Sequence, residues 1–301
     1  MSKQPASRAD EVYAITGITG KVGGEVGHAL LAAGKRVRAV VRDAEKGREW
    51  ADRGCEVALA EMADPQALGA AFSGAGAVFI LPPSEFDPAP GYPEARRVIE
   101  SVRSALAAAK PGRVACLSTI GADAAHDNLL SQRTLLEQAL RGLDLPLTFL
   151  RPAWFLDNAA WDVPSARETG QIQSFLHVDQ AFPMVASVDV GRTAAELLQE
   201  DWSGTRIVEL EGPTRVSPNE LAAAFASSLG KPVRAEPVSR ASWEALFRAQ
   251  GMKHPEPRMR MLDGFNERWI EFRDGGSHAR KGTTSAEQVI SALVSARVTR
   301  F

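Results

Sequence analysis

The chain has 301 residues, is 45% hydrophobic and carries a formal net charge of −2. That length and composition give a globular α/β chain with a large core, and the near-neutral balance gives no electrostatic case for binding nucleic acid or an anionic membrane surface. Residues 1–10 are polar and lack the apolar stretch of a signal peptide, and the longest apolar runs are strand-length, so no segment is expected to span a bilayer.

The first element is an apolar strand at 12–15. Gly17, Gly20 and Gly23 follow at spacings of three. Val26, Leu30 and Leu31 then recur at helical spacing, Gly34 stops the helix, and 37–41 resume as a strand. Strand, glycine loop, helix, strand is the context in which a glycine pattern implies a dinucleotide site. Unpaired N–H groups and partial positive charge at the helix start favour a pyrophosphate, and glycines let it approach. The alternative is a glycine loop that only turns the chain.

A polar helix at 44–53 follows, stopped by Gly54, then a third strand at 56–60. Pro65 opens a short helix to Phe72 with Asp64 as its N-cap. The fourth strand, 77–81, ends at Pro82-Pro83, and a proline-rich loop leads to a long helix at 94–109. A fifth strand at 113–117, a loop at 118–128, a helix at 129–141 and a sixth strand at 147–150 complete the alternation. The strands read as continuous apolar runs, so both faces of a parallel sheet are covered by helices. Ligands bind such sheets at the carboxyl ends of the strands.

Beyond Arg151 tryptophan and proline become frequent. A strand at 182–187, helices at 192–200 and 218–229, a strand at 206–210 and an edge strand at 231–238 are expected. Ser217 and Glu220 form a capping box. Helices at 243–249 and 258–269 follow, and Thr284 caps a last helix at 285–296. The division is a polar, flexible N-terminus at 1–11, a dinucleotide-binding domain at 12–152, and a smaller α+β lobe at 153–301. Parts of 182–212 complete the sheet of the first domain. Cys55 and Cys116 fall in or beside strands and read as buried free thiols in a reducing cytoplasm. The five histidines have no metal-ligand spacing, so no metal is expected.

At this point the chain resembles the NmrA-like group of atypical short-chain dehydrogenases/reductases. The resemblance rests on TGITGKVGG at 16–24, VVRD at 40–43, AEMADPQAL at 60–68 and LTFLRPAWFLDN at 147–158. VDVGRTAAELL at 188–198 and ELEGPTRVSPNELAAAFASSLGKPV at 209–233 extend it. It implies a Rossmann-type doubly wound parallel sheet with a small C-terminal lobe, binding NAD(P)(H). Gly17, Thr19, Gly20, Lys21, Val22 and Gly23 would hold the pyrophosphate.

Arg42 ends the second strand, nineteen residues beyond Gly23. A guanidinium there suits a 2′-phosphate in charge and forked geometry, with Lys46 assisting, so NADP(H) is preferred and NAD(H) is possible. Asp43 beside it would repel the same phosphate, and an ordinary solvated arginine is the alternative. In similar proteins Glu61 and Met62 would flank the adenine, although Met62 equally suits the core. Leu81, Pro82 and Pro83 would lie along the nicotinamide ribose. Ser118 stands where typical members have a serine that polarises the substrate carbonyl; a loop cap is the alternative. Pro152 and Trp154 would wall the nicotinamide. Thr119, Phe155, Asn158, Trp161 and Phe182 would line the substrate pocket, where an aromatic wall suits a flat quinone.

One departure matters. Typical short-chain reductases carry Tyr-x-x-x-Lys in the helix after the fifth strand. Counted back from the LTFLRP strand, those positions hold Leu129 and Arg133. Leu129 has no proton to give, and Arg133 is a poor acid but could hold a ribose. Tyr92 is the other phenol near these loops. The chain therefore reads as an NADPH-dependent oxidoreductase that reduces a quinone or similar conjugated molecule without a tyrosine acid. The alternative is a non-catalytic NADP(H) sensor, and epimerase chemistry is disfavoured by the same absence. A cytoplasmic monomer or homodimer acting on a small molecule, with no direct nucleic-acid contact, completes the picture.

Overall fold

A computed structural model describes residues 11–296, so most of the N-terminal segment at 1–11 lies outside the described residues. The first half alternates strictly. It runs β1 (Val12–Thr16), α1 (Lys21–Ala32), β2 (Arg36–Val41), α2 (Ala44–Ala51), β3 (Glu56–Leu59), α3 (Pro65–Phe72), β4 (Ala77–Ile80), α4 (Pro93–Ala109), β5 (Arg113–Leu117), α5 (Ser131–Leu140) and β6 (Leu147–Pro152). The second half adds β7 (Trp154–Phe155), a 3-10 segment (Leu156–Asp162), α6 (Val163–Thr169), β8 (Gln171–Ser174), β9 (Met184–Val185), α7 (Ser187–Gln199), β10 (Thr205–Glu211), α8 (Pro218–Leu229), β11 (Arg234–Pro237), α9 (Trp243–Ala249), α10 (Glu256–Asn266), β12 (Arg280–Lys281) and α11 (Ala286–Ser295).

Among the described residues, eight strands form one sheet in the order β12-β10-β6-β5-β4-β1-β2-β3. Every pairing in it is parallel. Side chains of β1 alternate between two cores. Tyr13 and Ile15 join α1, α7 and Trp50 on one face, while Ala14 joins α3, α4 and α5 on the other. Both faces are therefore buried, as the apolar runs require. The exceptions lie toward the two edges, where β3 alternates between half-buried and exposed and β12 and most of β10 are only partly covered. The chain runs from β1 outward to β3 and then returns to the opposite side of β1 with β4. The loops after β1 and β4 thus meet at the switch point, where doubly wound sheets bind ligands.

Local signals account for many boundaries. Asp64 caps α3 by accepting from the N–H groups of Gln66 and Ala67, and Ser217 with Glu220 forms the capping box of α8. Other boundaries shift. Ser285, not Thr284, caps α11 through a capping box with Gln288. The Thr284 hydroxyl instead donates to Asp189 Oδ1 at 2.9 Å, because Asp189 gathers the loop before α11. Helix α7 starts at Ser187, a turn and more ahead of 192, with Asp189 in its first turn. The strand expected at 182–187 shrinks to β9, which pairs with β7, and Phe182 makes an antiparallel bridge to Val216. The edge strand at 231–238 is β11, and it pairs with β8 rather than with the large sheet. No helix among the described residues is long and apolar enough to cross a membrane.

Candidate active site

The glycine loop closes tightly on β4. Buried Thr16 donates its hydroxyl to the Phe79 carbonyl (3.0 Å) and accepts from the Leu81 N–H (2.8 Å). This fixes the spacing between the loops after β1 and β4. Gly17 has φ +66°, in the left-handed region that glycine tolerates. At Gly23 a β-carbon would come within 2.2 Å of the Gly17 carbonyl oxygen, so only glycine lets α1 start this close to the strand. Gly20 occupies the N-cap of α1 with no side chain over the helix end. The first N–H groups of α1 lack intrahelical partners by geometry and face the loop. This is a cradle of backbone donors that fits a pyrophosphate. Lys21, the first helical residue, points instead toward Asp157, with Nζ 3.4 Å from Oδ1. The other Asp157 oxygen accepts from the Ser187 N–H at the start of α7, so one carboxylate ties the loop to the second half of the chain.

At the end of β2, Arg42 is exposed and makes no side-chain hydrogen bond or ion pair among the described residues. Asp43 does not compete for it. Its carboxylate caps α2 by accepting from the Glu45 N–H at 2.8 Å, so its charge is engaged with the backbone. Lys46 is exposed in the first turn of α2, and Glu61 is exposed after β3. Met62 packs against the core on the α3–α5 face.

Beyond the ends of β5 and β6 opens a cavity of about 1000 Å³. Ser118, Thr119, Arg133, Pro152, Trp154, Phe155, Asn158 and Trp161 all line it. Phe182 does not. It is buried in the core, where its backbone bridges Val216. Leu81, Pro82 and Pro83 lie on the β4 side, and Arg133 spans the gap. The Arg133 Nη2 donates to the carbonyl of Pro82 (3.0 Å) and to the hydroxyl of Ser84 (2.7 Å). Desolvation pulls its guanidinium down to about 10, so it stays charged at neutral pH, and it has no carboxylate partner among the described residues.

Ser118 and Thr119, adjacent in sequence, differ in what their hydroxyls do. Ser118 is buried, and its Oγ donates to Glu137 Oε1 at 2.5 Å. Glu137 also receives both arms of Arg151, at 2.9 and 2.8 Å, and Arg141 at 2.8 Å. Burial pushes the Glu137 carboxyl up, but the hydrogen bonds and charge of Arg151 outweigh it and hold the group ionised. The Ser118 proton is therefore committed to a carboxylate. The Thr119 hydroxyl has no side-chain partner among the described residues and lines the cavity.

Leu129, at the tyrosine position, is a buried apolar part of the cavity wall. Tyr92 offers no substitute. Its hydroxyl lies 2.9 Å from both Asp127 Oδ1 and the Asn128 carbonyl, and burial raises its pKa further from the useful range. Several wall residues escape a reading of strand ends alone. Gln132, Asp162, Arg258, Met261, Leu262 and Phe265 line the cavity as well. The last four share one face of α10, at spacings of three and four, which was the available signal. Phe265 meets the Trp154 ring edge-on, with centroids 5.2 Å apart. Among the described residues no group of three His, Cys, Asp or Glu side chains is placed to hold a metal ion.

Comparison with known proteins agrees with this geometry. A reductase from Streptomyces griseus, named for a (4-alkanoyl-5-oxo-2,5-dihydrofuran-3-yl)methyl phosphate, is 30% identical over 245 residues, covering 81% of this chain and 82% of that one. An NAD(P)H azoreductase from Xenophilus azovorans is 27% identical over 258 residues, covering 84% of each. A quinone oxidoreductase of Escherichia coli, solved as a complex with NADPH, shares the fold with a TM-score of 0.78 at 23% identity, covering 93% of this chain and 99% of that one. The NmrA-like family profile matches residues 9–261, across the whole parallel sheet except β12 and into the first half of α10, ending at Met261. With a glycine cradle at the switch point and leucine in place of the tyrosine acid, the chain belongs to the NmrA-like family.

Proposed function

We propose that this protein is an NADPH-dependent reductase of a quinone or a similar flat, conjugated small molecule. The observation that carries the reading is the cavity of about 1000 Å³ at the ends of β5 and β6, walled by Trp154, Phe155, Met261, Leu262 and Phe265. Its size and apolar, aromatic lining suit a planar acceptor. Relatives named for azo compounds and quinones support the same class.

The dinucleotide, when bound, supplies the hydride. Gly17, Thr19, Gly20, Lys21, Val22 and Gly23 cradle its pyrophosphate. Arg42 takes the 2′-phosphate with Lys46 nearby, and Glu61 and Met62 flank the adenine. Leu81, Pro82 and Pro83 would hold the nicotinamide ribose, with Arg133 supplying positive charge, and Pro152 and Trp154 would wall the nicotinamide. The acceptor lies against Thr119, Trp154, Phe155, Asn158 and Trp161. A conjugated acceptor gains a delocalised negative charge on reduction, so a weak donor or water suffices in place of tyrosine. The Thr119 hydroxyl donates a hydrogen bond to that oxyanion, because Ser118 is held by Glu137, and water delivers the proton.

The test is to mix the protein with NADPH and a panel of quinones and follow the nicotinamide absorbance. Turnover well above a Gly20→Glu control is expected. Tight NADPH binding with no turnover on any acceptor would remove the enzyme reading and leave a dinucleotide sensor.

A further inference from the structure

The face that α10 turns to the cavity consists of Arg258, Met261, Leu262 and Phe265. Three of these are apolar and the fourth is charged. The Arg258 guanidinium carbon lies 4.6 Å from the centroid of the Phe247 ring, and Nη1 lies 3.8 Å from the Met252 sulfur. Among the described residues Arg258 has no ion pair with a carboxylate. Desolvation lowers its pKa with no opposing charge to offset the effect.

The cavity's other charges are accounted for separately. Arg133 sits at the strand-end side on carbonyls and a hydroxyl. The exposed Glu85 accepts from the Asp87 N–H. Asp162 stands on the wall before α6; burial raises its carboxyl to about 6, so it is largely ionised at neutral pH, but it makes no ion pair with Arg258. Holding an unpaired cation in an apolar wall is costly unless a ligand supplies the counter-charge.

We propose that Arg258 anchors an anionic group (a carboxylate, sulfonate or phosphate) carried by the acceptor at the end remote from its reducible ring. The proposal rests on the reading of the cavity as the acceptor site. The spacing supports it. Phe265 meets Trp154 near the end of β6, and Arg258 lies seven residues earlier on the same helix, about 10 Å along its axis. A molecule of two or three fused rings spans that distance lying flat, with its reducible end at Thr119 and Trp154. The planar guanidinium fork then pairs with the anion in two parallel hydrogen bonds.

The test compares a 1,4-naphthoquinone bearing a sulfonate on the benzo ring with the unsubstituted quinone, under saturating NADPH. The readout is the ratio of the two kcat/KM values compared between variants, which cancels the difference in potential between the two quinones. Arg258→Met should lower that ratio at least about tenfold relative to the unsubstituted protein, whereas Arg258→Lys should keep part of it. An unchanged ratio in Arg258→Met would overturn the anchor. A second arm needs no turnover: binding of naphthalene-2-sulfonate and of the neutral naphthalene-2-sulfonamide to the NADPH-loaded protein, read from tryptophan fluorescence, with sodium sulfate at matched ionic strength as control. The sulfonate should bind more tightly than the sulfonamide, and the difference should vanish in Arg258→Met. If no quinone is reduced yet this difference holds, the reductase reading fails and Arg258 stands as an anion anchor for a ligand of the cavity that is not an acceptor. If quinones are reduced and the difference is absent, the anchor fails alone.

Discussion

Ser118 donates its hydroxyl proton to Glu137 across 2.5 Å, at the position where typical short-chain reductases aim a serine at the substrate. The same carboxylate neutralises the buried Arg151, which in turn reaches Asp123 at 2.7 Å. The serine therefore belongs to an ion network that braces the ends of β5 and β6. Ser118→Ala should lower stability by about 1–2 kcal/mol and leave quinone kcat/KM within severalfold. Glu137→Ala should cost about 3–5 kcal/mol, because Arg151 loses its main partner while buried. Denaturant melts of the two variants check this, and a hundredfold loss of kcat in Ser118→Ala would return the serine to the chemistry.

Thr119→Val should lower kcat/KM for quinones by roughly tenfold or more while NADPH affinity holds, since it removes the one strand-end hydroxyl left facing the acceptor. Steady-state kinetics with a fluorescence titration of NADPH separate the two effects. Loss of NADPH binding alone would place Thr119 with the dinucleotide instead.

Arg42→Ala should weaken NADPH by roughly ten- to hundredfold and NADH far less, because only the former carries the 2′-phosphate. Equal loss for both would refute that assignment.

Asp162 provides a pH signature. Burial raises its carboxyl from 3.8 to about 6, so between these values the native state binds the extra proton more readily than the unfolded chain. The stability this proton contributes is complete below the lower value and is lost as pH rises through the upper one. Asp162→Asn should therefore stabilise the protein on the order of 1–3 kcal/mol at pH 7–8, and the gain should disappear near pH 4. Paired melts of the two proteins across pH would show it.

The elements and caps that were legible in the sequence are those set by neighbours in the chain. Gly17 to Gly23, Asp64 and Ser217 act within a turn of where they stand, so their residue types announce their roles. What escaped depends on contacts between distant segments. Glu137, Arg151 and Asp123 are apart in the chain and show no periodicity, so nothing local reveals that Ser118 is already engaged. Thr284 and Ser285 are equally good caps by type, and only Asp189, far upstream, decides between them. The pairing of β8 with β11 escaped because both strands are short and largely polar. The cavity wall from α10 was visible as a helical stripe, but that stripe alone reads as ordinary core.

The most direct test of the central claim is an anaerobic single turnover: protein saturated with NADPH is mixed with a naphthoquinone, and the nicotinamide absorbance is followed with ordinary NADPH and with NADPH deuterated at the transferred position. The account predicts equimolar loss of NADPH and quinone, slower with the deuterated dinucleotide. Tight binding of NADPH with no absorbance decay, for neutral and sulfonated quinones alike, would contradict it.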